Sequence, residues 1–377
     1  MQRVCHWIKS IVFLMVLLIP SMVWANTISI FDVETPQAQT PSQAAELSVY
    51  FGYESSAKMP IKGLTADNCS ILIDGKMPEV VQSKMVPFVE GDKGVGVLFV
   101  FPISKNYSED SFGIRSHLKG LLQKMDRRID QVNAVTYDRF SQPQGWTTAG
   151  SQELFNHLSS MSNTDDIEPN LFSSFVTSIS AFDTVKGVSQ KYLVLISDAE
   201  GAHFSDVERA NTLISAYIDQ LKKSQVIPII IAYSPDGLPA MTNIFHLKRI
   251  ASELNGYYFI AESESTLQRI LQMDVYNVIY SKYLLKTTLD MSGDNYLPTG
   301  RNYPLELVVK TNPNDENGDH ASVKIDWPDL TNSPFDQSLP SLNITDESIS
   351  TWGIIKYFIV FLLGLFAGMG IMLAKKS

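Results

Sequence analysis

Cysteine is nearly missing from this 377-residue chain, with only Cys5 and Cys69 present. Cys5 falls in a stretch patterned like an export signal, so the processed chain would keep one thiol and no intramolecular disulfide. Without a disulfide, an exported chain depends on its core, and roughly 300 residues suffice for one or two domains. Cys69 reads as a thiol buried in a strand, with an intermolecular bridge as the alternative. No lipobox pattern precedes Cys5, which excludes a lipoprotein reading. Histidine is scarce and scattered, at His6, His117, His157, His203, His246 and His320. There is no HExxH pair and no GxSxG elbow. Gly94 and Gly96 precede a strand rather than link strand to helix, so they do not make a phosphate loop. With no enzyme signature, the chain is expected not to be an enzyme. Residues 312–319 are rich in oxygen ligands, but Gly318 is misplaced for an EF-hand loop and a polar hairpin turn is expected. Bases are also in deficit, 30 against 40 acids. An acidic body disfavours nucleic acid and anionic lipid as partners.

The two ends are apolar. Arg3 and Lys9 precede an uninterrupted apolar run at 11–19, then Pro20 and the small-residue pattern Val23-Trp24-Ala25. This predicts a signal peptide over residues 1–25. Its removal leaves 28 basic against 40 acidic residues, a net charge of −12. Residues 351–374 are apolar apart from Thr351 and Lys356 and are followed by Lys375 and Lys376. About 20 such residues cross the hydrocarbon core, and the lysines obey the positive-inside rule. One C-terminal transmembrane helix is expected, with a cytoplasmic stub at 375–377. Gly364 and Gly368 have the GxxxG spacing that permits close helix approach, hence a possible homodimer through the anchor. The body would then sit outside the cytoplasm, on a bacterial cytoplasmic (inner) membrane.

Between the ends, the hydrophobic period changes twice. Residues 26–45 are polar and read as a flexible lead-in. Strand-like segments follow at 47–51, where apolar and polar residues alternate, at 70–73 before the turn pair Asp74-Gly75, and at 80–86. From Gly94 onward, continuous apolar runs at 95–101, 132–137, 192–196, 226–232 and 257–261 alternate with helical patterns. Ile114, Leu118, Leu121, Leu122 and Met125 share one helical face, as do Leu171, Phe175, Ile179 and Phe182. Ser205 with Glu208, and Ser265 with Gln268, are candidate helix caps. Apolar strands separated by helices imply a mostly parallel sheet covered on both faces, a doubly wound α/β fold. Strand patterns return at 283–289, 305–310 and 321–327. Segments 46–92 and 280–330 are each too short for a core, so they are expected to form one β-sandwich flanking a domain at 93–279. Residues 331–350 read as a stalk.

Several segments resemble bacterial von Willebrand factor type A proteins with a flanking β domain. Residues 62–67 and 73–76 (KGLTAD and IDGK) are similar to the element before the A domain. Residues 96–104 resemble its first strand and loop, and 192–198 (YLVLISD) resemble its third. Residues 276–280 look like the strand that follows the final helix. The resemblance implies a Rossmann-like sheet with an adhesion site, where oxygen side chains from three loops hold Mg²⁺ and a partner carboxylate completes the shell. The first loop should read DxSxS, and the matching positions are Pro102, Ser104 and Asn106. The second should supply a threonine, and Pro169 stands there before Asn170. The third should supply an aspartate, and Asp198 is present with Ala199 after it. Two prolines cannot ligate through a side chain, so the implied site is degenerate and no metal or other cofactor is expected. Lys105 is placed where it could stand in for the cation beside Asp198, or be a solvated loop lysine. Lys105, Asn106, Asn170, Asp198 and Glu200 are the candidate partner-binding residues.

Three functional classes follow from this reading. The first is a membrane-anchored, extracytoplasmic interaction or scaffold module with a protein partner, either alone or as a subunit of an envelope or secretion assembly. The second is a metal-dependent adhesin that binds a protein carboxylate. The third is an enzyme with an unrecognised site.

Overall fold

A computed structural model describes residues 26–35, 44–102, 108–125, 127–136, 145–161, 178–197, 207–233, 241–290, 301–311 and 318–327. The expected signal peptide (1–25), stalk (331–350) and transmembrane helix (351–374) lie outside the described residues. Among the described residues no helix is long and apolar enough to cross a membrane.

The chain is mixed α/β. Strands β5 (Gly94–Phe101), β6 (Gln131–Thr136), β7 (Thr147–Thr148), β8 (Val188–Ser197), β9 (Val226–Tyr233) and β10 (Tyr257–Ala261) form one sheet. Their order is β10-β9-β8-β5-β6-β7, parallel throughout except for β7 on β6. All eight residues of β5 are buried, as a strand covered on both faces requires. Side chains alternate between faces with a period of two. Val97, Phe99, Tyr192, Val194, Ile229 and Ile231 therefore enter one core, and Leu98, Val100, Leu193, Leu195 and Ile230 the other. Helix α1 (Ser108–Lys124) fills the first core with Ile114, Leu118, Leu121 and Leu122. Helices α3 (Val207–Lys223) and α4 (Met241–Glu253) fill the second with Ile214, Ile218, Leu221, Leu247 and Ile250. The short α2 (Gln152–Ser160) packs Leu154 and Leu158 on the first side.

The last helical run differs from the sequence expectation. Helix α5 (Glu264–Arg269) continues through a π-helical stretch, Ile270–Val275, into α6 (Tyr276–Tyr280). Residues 276–280 are thus helical, not the strand that the resemblance implies. Ile270, Leu271, Val275, Val278 and Ile279 are all buried, a spacing that makes one helical face and not an alternating strand. The cap also lies earlier than expected: the Ser263 hydroxyl accepts from Thr266 N at 3.2 Å.

A second unit is a two-sheet sandwich. One sheet has the order β1-β2-β11-β4, with β1 Thr27–Glu34, β2 Ala45–Glu54, β11 Tyr283–Leu289 and β4 Val80–Pro87. The other is β13-β12-β3, with β13 Asp319–Asp326, β12 Asn302–Val309 and β3 Cys69–Ile73. Leu47, Val49, Phe51, Leu285 and Leu289 meet Ile71, Ile73, Leu305, Leu307, Val323 and Trp327 in one core. Segments from before and after the parallel sheet therefore bury each other. Asp74 and Gly75, with φ of 54° and 72°, make the tight turn at the end of β3.

Two readings are corrected here. Within 26–45, residues 27–34 are a strand and not a flexible lead-in: Ile28, Ile30 and Val33 are buried and β1 pairs with β2. In β2, residues 47–53 are all buried, although the sequence suggests alternation. The inner face of β2 enters the sandwich core, while Tyr50 on its outer face joins Val86, Phe88 and Leu284 against the parallel-sheet unit.

Candidate functional site

The chain forms β5 first, passes to β6 on one side of it, and later forms β8 on the other side. Such a reversal opens a crevice beyond the carboxyl ends of the strands, between the loops after β5 and β8. β5 ends at Phe101 and β8 at Ser197, and the pair is in register through Val100 and Leu195. Pro102 follows β5 directly and is buried. Ser197 and Thr136, at the ends of β8 and β6, are buried polar residues on the same rim. Ser104, Lys105, Asn106, Asn170, Asp198 and Glu200 all lie outside the described residues. What is described is the platform: segments 103–107 and 198–206 leave from adjacent strand ends.

Pro102 is the one position of the implied site that lies among the described residues. It has no side-chain oxygen, and the resemblance aligns it with the first carboxylate of the type A site. A proline there does not fit the Mg²⁺ centre of that family. Among the described residues no cluster of three or more His, Cys, Asp or Glu side chains could hold a metal ion.

The opposite end of the sheet, where the sandwich docks, concentrates the buried ionisable groups. Asp130 is fully buried just before β6. Its Oδ2 accepts from Tyr280 Oη at 2.6 Å, and its Oδ1 accepts from Val95 N at 3.1 Å. Arg127 Nη1 lies 3.5 Å from Oδ1, while Nη2 donates to the carbonyls of Gly91 and Lys93 at 2.9 and 3.2 Å. Burial raises the Asp130 pKa above the usual carboxylate value, while Tyr280, Arg127 and the Val95 amide act to lower it. Lys93 bridges to Asp32 and Glu34 of β1 at 3.2 and 2.8 Å. The Tyr50 hydroxyl donates to Asp92 at 2.6 Å. One linker is thus tied to both units.

The second linker carries Lys282, whose ammonium lies 5.2 Å from the centre of the Phe31 ring and 5.5 Å from that of Tyr192. Burial lowers its pKa to about 8, and the nearby Glu54 charge opposes that shift. Glu54 accepts from the Tyr257 hydroxyl. Lys58 donates to the Gly256 carbonyl at 2.9 Å and lies over the Tyr257 ring. The sequence gives little sign of this junction. A lysine interrupting the apolar stretch 278–285 and an aspartate directly before a buried strand are its only local marks. Cys69, at the start of β3, is half-buried, and burial pushes its thiol up to about 12. That is an unreactive thiol.

The junction makes folding stability depend on pH. The Lys282 pKa is lowered from 10.5 to about 8, so the folded state binds fewer protons than the unfolded state between those values. Stability therefore rises with pH across that window and falls as pH drops toward 8. The buried Tyr257 and Tyr280 hydroxyls, whose pKa values are raised, oppose the rise above about pH 10. Denaturant unfolding from pH 7.5 to 10 is expected to gain on the order of 2 kcal/mol more in the native protein than in Lys282→Met. Equal slopes would remove Lys282 as the source.

No protein-family profile matches this chain, and no curated protein does. Several solved structures are similar. BatB from Bacteroides thetaiotaomicron is 15% identical, with a TM-score of 0.38 over 49% of this chain and 98% of its own. An aerotolerance-related membrane protein from Bacteroides fragilis is 17% identical, with a TM-score of 0.37 over 48% and 98%. A von Willebrand factor type A protein from Catenulispora acidiphila is 9% identical, with a TM-score of 0.41 over 82% and 75%.

Proposed function

We propose that this chain is a membrane-anchored, extracytoplasmic interaction module of the von Willebrand factor A type, and that it binds a protein partner at the carboxyl rim of its parallel sheet without a metal. The observation that carries this reading is the topology. The switch point between β5 and β8 opens at the end of the sheet opposite the sandwich, and the segments leaving it carry Ser104, Lys105, Asn106, Asp198 and Glu200. Pro102 removes the first carboxylate of the family site, and Lys105 offers a fixed positive charge that needs no bound cation. The export and anchor patterns of residues 1–25 and 351–374 support a body held outside the cytoplasmic membrane. A subunit of an envelope assembly fits this reading as well as a receptor acting alone.

Isothermal titration of Mg²⁺ and then Mn²⁺ into the purified protein, beside Asp198→Ala, tests the metal-free reading. The expected result is the same small dilution heat for both proteins. Saturable binding that Asp198→Ala abolishes would move the metal-dependent adhesin to first place.

A further inference from the structure

β10 ends its sheet, and among the described residues its backbone ladder runs only to β9. Its sequence, Tyr257-Tyr258-Phe259-Ile260-Ala261, has neither charge nor proline, the devices that blunt most exposed edges. Ile260 is 45% exposed, Phe245 on α4 is 63% exposed, and Met59 in the turn after β2 is 51% exposed. α4 packs against β10, and Lys58, next to Met59, holds the carbonyl just before β10.

We infer that two chains pair antiparallel through β10, with Phe259 on the two-fold axis. An isologous contact must be self-complementary. In this register Tyr258 lies opposite Ile260 of the other copy, an aromatic and β-branched pair on one face. Tyr257 lies opposite Ala261, large against small. Glu262, exposed at the end of the strand, falls opposite Gly256, whose carbonyl carries the Lys58 ammonium. Each end of the paired strands then brings together Glu262 of one copy and Lys58 of the other. Moving the register by two residues either way loses both charge contacts. This contact is separate from the sheet rim of the proposed function and from the glycines of the expected anchor.

The test is disulfide trapping in the full-length chain, with Cys5 and Cys69 replaced by serine. Tyr258→Cys and Ile260→Cys are prepared singly and then mixed in equal amounts under mild oxidation. Directly opposed residues have Cα atoms about 5 Å apart, within disulfide reach. Like positions, 258 to 258 or 260 to 260, lie diagonally at about 7–8 Å, beyond it. The mixture is expected to cross-link and each variant alone to stay largely monomeric on a non-reducing gel. Because Tyr258 is half-buried, light scattering of Ile260→Lys gives a second readout. It is expected to weaken the dimer about ten-fold or more, with an unchanged melting temperature at an exposed position. A native chain that stays monomeric at about 50 μM, a single variant that traps as well as the mixture, or an Ile260→Lys dimer of native affinity would each overturn the pairing.

Discussion

Gly94→Ala is expected to destabilise the folded protein by about 3–5 kcal/mol, among the largest effects of any single methyl addition in this chain. A Cβ on Gly94 would stand 2.1 Å from the carbonyl oxygen of Ile129 and 2.8 Å from its carbonyl carbon. Both are backbone atoms, so no side-chain rotation relieves the contact. The first residue of β5 and the turn before β6 must separate, and that turn holds Asp130. Moving it disturbs the bonds to Val95 and Tyr280 as well. Thermal unfolding should shift down by roughly 10 °C, at 2–4 °C per kcal/mol for a domain of this size. Gly96→Ala is the control. Its Cβ would lie 3.3 Å from a Val185 methyl, a side chain that can yield, and a cost below about 1.5 kcal/mol is expected. If the two variants melt together, the close approach at Gly94 is not what selects glycine there.

Asp130→Ala should cost a similar 3–5 kcal/mol for an electrostatic reason. The carboxylate is fully buried, and three donors converge on it: the Tyr280 hydroxyl, the Val95 amide and the Arg127 guanidinium. Alanine leaves the hydroxyl and the amide without an acceptor and the cation without a counter-charge, away from water. Asp130→Asn keeps one acceptor and should cost about half as much. Tyr280→Phe removes one donor and leaves the rest, so about 1–2 kcal/mol is expected. In a double-mutant cycle of Asp130→Ala with Tyr280→Phe, the coupling should reach at least about 1 kcal/mol. Additive costs would mean that the two side chains act independently, contrary to their 2.6 Å contact. Because Tyr280 ends α6 and Asp130 precedes β6, the same variants test whether the final helix is tied to the base of the sheet.

The parallel sheet was legible because its signals are local. A strand buried on both faces is apolar along its length, and β5, residues 192–196 of β8, and β9 say so in five to eight residues each. The helical face of α1 is as plain. The turn at Asp74-Gly75 was legible from a dipeptide. The misreadings share another cause. β1 is polar at half its positions and gains its place only through β2. Residues 276–280 look strand-like in isolation, yet they are the end of a helix whose buried face begins at Leu267. The candidate rim was readable only as a pattern of loop residues, and Pro102 is the one member of that pattern that the described residues hold.

What the sequence determined by itself is therefore the order of hydrophobic periods: a β segment, five buried strands with their helices, a second β segment, and apolar ends. Only the tertiary structure decided that β1 joins the sandwich, that β2 is covered on both faces, and that Lys282 and Asp130 are buried where two units meet. The same holds for the place of β10 at the end of its sheet. Periodicity is a property of neighbouring residues, whereas burial at a junction depends on residues far apart in the chain, 150 positions between Asp130 and Tyr280 and 203 between Glu54 and Tyr257. No window along the chain contains both partners.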